Sequence, residues 1–182
     1  MVGRVEPNKN QMEALRAICL LKEQGITNFY LHVIGRFSDE EYKKYLDLYI
    51  KEHDLGGFVR FLGARYDVPE LLKTMDIGLM LSNSEAFGRV TVEYQMQNLA
   101  VVATDAGANR ELIETNKTGI LYTLGQPDDL ANCLRRMILD RDFMQCLSAA
   151  GEQNAMNVFT SRNNSENLYT VYLSIISVNH EI

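Results

Sequence analysis

Five short, largely apolar runs punctuate this sequence, and each is followed by a stretch of a different period. The runs are Phe29–Gly35, Phe58–Gly63, Ile77–Leu81, Leu99–Thr104 and Gly119–Tyr122, and Val2-Gly3 reads as the end of a sixth. Each has strand length and no polar alternation, which is the mark of a strand buried on both faces. Between them lie helical patterns. Met12, Leu15, Ile18, Cys19 and Leu21 share one face, with Gly25 as the stop. Residues 39–53 place Tyr42, Tyr45, Leu46, Tyr49 and Ile50 inward, and Asp67-Val68-Pro69-Glu70 opens a short helix with Pro where no N–H is needed. Asp128-Asp129 heads a helix with Leu130, Leu134, Ile138 and Leu139 on one side, and further helical stretches cover 142–157 and 162–178. Strand and helix alternate throughout. The pattern predicts an α/β domain: a parallel sheet of about six strands with helices on both faces. In such sheets ligands bind beyond the carboxyl ends of the strands.

The most informative junction follows Ile77-Gly78-Leu79-Met80-Leu81. Ser82-Asn83-Ser84-Glu85-Ala86-Phe87-Gly88 is a polar, small-residue turn, and Val90, Val92, Tyr94 and Met96 then carry a helix of two to three turns. Gly88 stands where the chain needs a close approach or an unusual φ. The unpaired N–H groups of the following helix offer a place for a phosphate. Glu85 and Glu93 flank the turn, and carboxylates accept hydrogen bonds from sugar hydroxyls. A diphosphate with a hydroxylated ring at either end, the shape of a nucleotide-sugar, suits that arrangement.

With Phe87-Gly88 inside it, the Glu85-(seven residues)-Glu93 spacing resembles the E-x7-E signature of retaining glycosyltransferases of the GT-B architecture, family 4. Gly3-Arg4, Pro7 and Lys9 are similar to the G-R-x-x-P-x-K loop that opens the nucleotide-binding half of the same enzymes. Asp105-Ala106-Gly107-Ala108-Asn109-Arg110-Glu111, after Thr104, resembles the T-x-x-G-G-x-x-E turn, with Ala108 in place of the second glycine. Two other departures are Asn98-Leu99-Ala100, where the family has G-x-P, and Arg89, where an apolar residue is commoner. Asn tolerates the left-handed conformation at a helix end, so the first should preserve the turn. The second adds a cation that could alter sugar choice.

The resemblance spans residues 2 to 175 and implies the Rossmann-like C-terminal half of a GT-B fold. It implies roles as well. Arg4 and Lys9 would neutralise the departing diphosphate, helped by backbone N–H groups at Phe87-Gly88. Glu85 would hold donor-sugar hydroxyls and Glu93 the ribose hydroxyls, with Gly3 and Arg60 completing donor binding. Arg60 stands for main-chain contacts to the nucleobase at the end of its strand. No metal or other cofactor is required, because the nucleotide-diphosphate-sugar is itself the donor substrate. Neither glutamate is expected to act as in a retaining glycosidase, which needs two carboxylates about 5 Å apart across one bond.

Composition narrows the partners. A net charge of −6 argues against a nucleic-acid surface, and no apolar run approaches bilayer length. Cys19, Cys133 and Cys146 form no C-x-x-C pair and read as reduced thiols of a cytoplasmic protein. His32 and His53 have no partner at metal-ligand spacing and read as structural or surface residues. Because no apolar residues precede Val2-Gly3, the 182 residues are expected to be one donor-binding domain of a longer protein. The N-terminal half would bring the acceptor, a sugar or lipid-linked glycan, and any peripheral contact with the inner membrane face. Alone, the chain is expected to bind nucleotide weakly and not to turn over. Two alternatives stand against this: a non-catalytic nucleotide-binding or flavodoxin/receiver-like module, and a degenerate glycosyltransferase domain kept for binding or assembly. The first lacks its acidic cluster or flavin loop, and Arg4, Lys9, Glu85 and Glu93 speak against the second.

Overall fold

A computed structural model describes residues 1–159. A 3-10 turn at Pro7–Lys9 leads into α1 (Gln11–Glu23), β1 (Leu31–Ile34), α2 (Glu40–Glu52), β2 (Val59–Gly63), α3 (Val68–Leu72) and β3 (Ile77–Met80). There follow α4 (Arg89–Met96), β4 (Ala100–Thr104), α5 (Asn109–Leu112), β5 (Ile120–Tyr122), α6 (Pro127–Leu139) and α7 (Arg141–Val158). All strand pairs are parallel. β1 pairs with β2 in register Leu31↔Val59, and β4 lies between β3 and β5 with Gly78↔Val101 and Val102↔Ile120. The predicted helix over 162–178 lies outside the described residues.

The expected strands form, but in two sheets rather than one, and five are continuous rather than about six. Val2 makes only a single bridge to Ile34, closed by Gly3 N–H to Ile34 O at 2.9 Å and Ile34 N–H to Met1 O at 2.8 Å. On its other side the Val2 N–H donates to the Tyr94 hydroxyl at 2.6 Å, and that hydroxyl lies 3.5 Å from Leu79 O. A side-chain oxygen thus occupies the seam where a backbone ladder between residues 1–3 and β3 would run.

Helices cover both faces because the strand residues alternate between two cores. Leu79, Leu81, Ala100 and Val102 join the cluster built with α1 and α6; Met80, Val101 and Ala103 join the one built with α4. All five residues of β4 are buried, as a strand sandwiched between helices requires. α1 contributes Leu15, Ile18 and Leu21, each worth roughly 1.5–3 kcal/mol on burial. α2 starts at Asp39, whose carboxylate accepts the Tyr42 N–H at 2.8 Å, and the Tyr42 hydroxyl in turn accepts the Met12 N–H. Two inward assignments are corrected. Tyr45 and Leu139 are exposed, because only Leu46 of α2 reaches full burial and Met137 takes the core position on α6. His53 stacks on Tyr49, and its Nδ1 lies 3.0 Å from Tyr49 O, a structural role.

Candidate functional site

The loops beyond the carboxyl ends of residues 1–3, β3 and β4 meet at one place. The Pro7–Lys9 turn projects Lys9 toward the loop after β3, where its Nζ lies 3.0 Å from Glu85 Oε2 and 3.2 Å from Ser82 Oγ. Asn10 secures that approach. It adopts the left-handed conformation at φ 53° and donates from Nδ2 to Leu81 O and Asn83 Oδ1, both at 2.6 Å. The Asn83 N–H returns a bond to Asn8 O at 3.1 Å. A cation from position 9 and an acid from position 85 are therefore held together by backbone geometry as well as by charge. A Cβ on Gly3 would stand 3.9 Å from Lys9 Cδ and Cε, so the lysine stem runs beside Gly3. Arg4 follows directly; its guanidinium pairs with Glu6 at 3.3 Å and is more than half exposed.

The turn after Glu85 ends at Gly88, which takes φ +74° as the N-cap of α4; no side chain of a described residue caps this end. The Thr91 and Val92 N–H groups bond back to Gly88 O at 2.9 and 3.3 Å, which leaves those of Arg89 and Val90 without a partner among the described residues. A Cβ at Gly88 would lie 2.6 Å from Leu112 Cδ1, so both the conformation and the space call for glycine. Phe87 is exposed. The loop after β4 supports the turn from below. The Ala108 N–H donates to Glu85 O at 3.1 Å, and a Cβ on Gly107 would come within 2.7 Å of that same oxygen. Gly107 has φ +54°, whereas Ala108 sits at φ −62°, ψ −18°. The missing second glycine costs no backbone strain, because that position is right-handed here. Asn98 likewise takes φ +57° at the end of α4, as its place in the sequence predicts.

Glu93 stands exposed on α4 beside a hollow of about 310 Å³ shared with Val68, Pro69, Leu72, Met96 and Gln97. Among the described residues no hydrogen bond or ion pair joins it to Lys9 or Glu85. Arg60 is not brought to the site. It is the second residue of β2, opposite His32, and its guanidinium lies 5.7 Å from the Tyr30 ring. Burial, with the Arg60 charge, pushes the His32 imidazole below its usual pKa. The carboxyl end of β2 is Gly63, three residues further on, so the expectation that Arg60 marks a strand end is corrected by register.

Sequence reasoning missed the polar chain beneath the site. Thr91 Oγ1 bonds Asn109 Oδ1 at 3.0 Å, Asn109 Nδ2 bonds Thr104 O and Oγ1 at 3.2 Å, and Thr104 Oγ1 bonds Ser82 O at 2.9 Å. All four residues are buried. A second hollow, of about 250 Å³, opens at the amino ends of β1 and β3 among Tyr30, His32, Met75 and Ile138. It lies at the opposite end of the strands from Lys9, and its charged lining is the exposed Arg141–Asp76 pair, 3.3 Å apart, which neutralises itself. Among the described residues no three His, Cys, Asp or Glu side chains are grouped to hold a metal ion.

Residues 1–154 match the family described as glycosyl transferases group 1. The putative glycosyltransferase YtcC of Bacillus subtilis is 23% identical over 184 residues, covering 96% of this chain and 44% of that protein. The D-inositol 3-phosphate glycosyltransferase of Corynebacterium jeikeium is 27% identical, covering 98% and 44%. Among solved structures, Anabaena Alr3699/HepE in complex with UDP is 28% identical with a TM-score of 0.86, over 95% of this chain and 48% of that one. Its UDP-glucose complex is 30% identical with a TM-score of 0.83. The chain spans about half the length of the relatives it matches.

Proposed function

The chain belongs to the glycosyl transferases group 1 family, and on that premise we propose that it is the donor-binding domain of a retaining GT-B enzyme. The whole protein would transfer a sugar, of hexosyl type, from a nucleotide-diphosphate donor to a hydroxyl acceptor. The observation that carries this reading is the 3.0 Å approach of Lys9 to Glu85 beyond the carboxyl ends of the strands. Cation and acid side by side suit a ligand whose diphosphate adjoins a hydroxylated ring. The UDP and UDP-glucose complexes of Alr3699/HepE support the same choice of donor class.

In this reading Lys9 and Arg4 bind the diphosphate and stabilise the charge it gains on departure, with the N–H groups at Phe87-Gly88 and the amino end of α4. Glu85 accepts hydrogen bonds from the sugar, and Glu93 from the ribose. Gly3 leaves room beside Lys9 for the phosphates. Arg60 drops out, and the backbone after Gly63 takes its place at the strand end. The bond from the anomeric carbon to the diphosphate oxygen breaks as the acceptor oxygen bonds that carbon. The acceptor's proton leaves with the diphosphate. No step calls on a metal.

The acceptor, a sugar or lipid-linked glycan, would be bound by a second, N-terminal domain, so these residues alone should not transfer. No helix among the described residues is long and apolar enough to cross a membrane. We place the reaction in the cytoplasm, a reading supported by the free thiols of Cys19, Cys133 and Cys146, with any contact at the inner membrane face left to the other domain. The test is calorimetric or thermal-shift titration with UDP, GDP and ADP and their sugars, repeated on Lys9→Ala and Glu93→Ala. Saturable binding that both substitutions weaken is expected. Failure of every nucleotide to bind would overturn the reading.

A further inference from the structure

We propose that Asn109 and Thr91 are positioning residues that set the aim of Glu85, and that their hydrogen bond governs recognition of the donor's sugar rather than of its nucleotide. The inference rests on the donor-binding reading above. Besides its bonds to residues 8–10, the segment from Ser82 to Thr91 is tied down at three points by residues 104–109. At its start, Ser82 O accepts from Thr104 Oγ1 at 2.9 Å. In its middle, Glu85 O accepts the Ala108 N–H at 3.1 Å. At its end, just past Gly88, Thr91 Oγ1 donates to Asn109 Oδ1 at 3.0 Å.

Asn109 joins the three. Its Nδ2 reaches both oxygens of Thr104, its Oδ1 receives Thr91, and its backbone directly follows Ala108. Thr91, Thr104 and Asn109 all have 0% exposure. A buried polar chain of this kind is stiff while each member is partnered and costly once one is removed. Its stiffness passes to the Glu85 backbone through Ala108. Lys9 is held differently, through Asn10 to Leu81 O and Asn83 Oδ1, none of which belongs to the 104–109 segment. Loosening the Thr91–Asn109 pair therefore disturbs Glu85 first; Lys9 shares the 3.0 Å contact with Glu85 but keeps Ser82 Oγ and the Asn10 tethers, so the phosphate-facing group moves less.

The test uses the whole 182-residue chain carrying Thr91→Val, Asn109→Ala or Thr91→Ser. Thr91→Val keeps the shape and removes only the donor, so it folds even if Asn109→Ala does not. Two quantities are read: hydrogen exchange at the Ala108 amide without ligand, and the affinities for UDP and for UDP-glucose. Thr91→Val is expected to lose about tenfold in protection at Ala108, with Val101 and Ala103 unchanged, and about tenfold in preference for UDP-glucose over UDP. Its affinity for UDP alone should stay within about twofold of the unaltered chain, and Thr91→Ser should restore both quantities. Unchanged exchange at Ala108, or equal losses for UDP and UDP-glucose, would overturn the proposal. So would equal affinity of the unaltered chain for the two ligands, since Glu85 would then hold no sugar. If the unaltered chain bound neither, the donor reading itself would fall, and exchange at Ala108 would still decide whether the pair positions Glu85.

Discussion

Replacing Lys9 with Met removes the ammonium group and keeps most of the stem that runs beside Gly3. Two consequences follow, and their sizes differ enough to be told apart. The Lys9 and Glu85 side chains are 23% and 25% exposed, so the pair is neither buried nor freely solvated. Unit charges about 4 Å apart attract by roughly 4 kcal/mol at an effective dielectric near 20, but desolvation and lost side-chain freedom leave about 1 kcal/mol or less in stability. For a chain of this length that is a Tm change of about 2–4 °C. Binding should suffer more. A charge-assisted contact to a diphosphate is worth about 1.5–3 kcal/mol, a loss of roughly ten- to hundredfold in affinity for UDP. Differential scanning fluorimetry reads the first quantity and calorimetry the second. Glu85→Gln added to Lys9→Met should recover the lost Tm, because it removes the unpaired carboxylate, but should recover none of the UDP affinity. A folded Lys9→Met chain that binds UDP within about twofold of the unaltered one would refute the assignment of Lys9. A Tm loss beyond about 10 °C would refute the stability reasoning and make the pair a structural one.

Other expectations can be checked with the same material. Gly88→Ala must place a Cβ at φ +74° and within 2.6 Å of Leu112 Cδ1, and should cost about 1–3 kcal/mol in urea unfolding. Tyr94→Phe keeps the ring that fills the space above Gly78 but strands the Val2 N–H; a loss of about 1–3 kcal/mol is expected by the same measurement. Burial pushes the Glu13 carboxyl above its usual pKa, although the nearby Tyr122 hydroxyl and the Gly125 and Gln126 N–H groups pull it partway back. A raised carboxyl favours the fold below the unfolded value of about 4.3 and loses that contribution as pH rises through the folded pKa. Glu13→Gln should therefore raise Tm at pH 7 and have little effect at pH 4, and an equal gain at both would contradict this. Sugar transfer measured with these 182 residues alone should be absent, and any turnover of UDP-glucose above background would contradict the need for a second domain.

Legibility in the sequence divides along a physical line. Strands and long helices could be read because burial imposes a period on side chains. β3 starts, and β2, β4 and β5 end, where the apolar runs do; the other boundaries lie one residue inside the runs, except that β1 starts two residues late, and α7 covers the expected 142–157. Glu85 stood out at its strand–turn–helix junction and Lys9 through its resemblance to the G-R-x-x-P-x-K loop, and parallel topology brings the carboxyl ends of their strands to one edge. The assignment failed where register mattered. Arg60 lies in the right strand, yet two residues of polypeptide separate it from Gly63, so its main-chain groups fall short of the strand's carboxyl end. Val2 has the sequence of a strand end, but the Tyr94 hydroxyl takes its outward N–H, and no local pattern announces an oxygen arriving from 92 residues away.

The polar chain under the turn was illegible for a related reason. Thr91, Thr104 and Asn109 are residue types that also cap helices and form turns, so in sequence they look like punctuation. What separates them from punctuation is burial together with complete pairing, and neither has a period. One signal was available. Gly107-Ala108 departs from the two-glycine pattern at the position whose φ is −62°, which means that one glycine there serves conformation and the other does not. Gly107 is the one that lies against the Glu85 carbonyl, so its loop exists to carry the turn above it. A loop in that position needs an anchor in the core, and the nearest residue able to use two donors and an acceptor at once is Asn109. The same logic applies to Asn10: where a short polar side chain occupies a left-handed position beside a ligand turn, its amide should be sought on the neighbouring segment's backbone, here at Leu81 O.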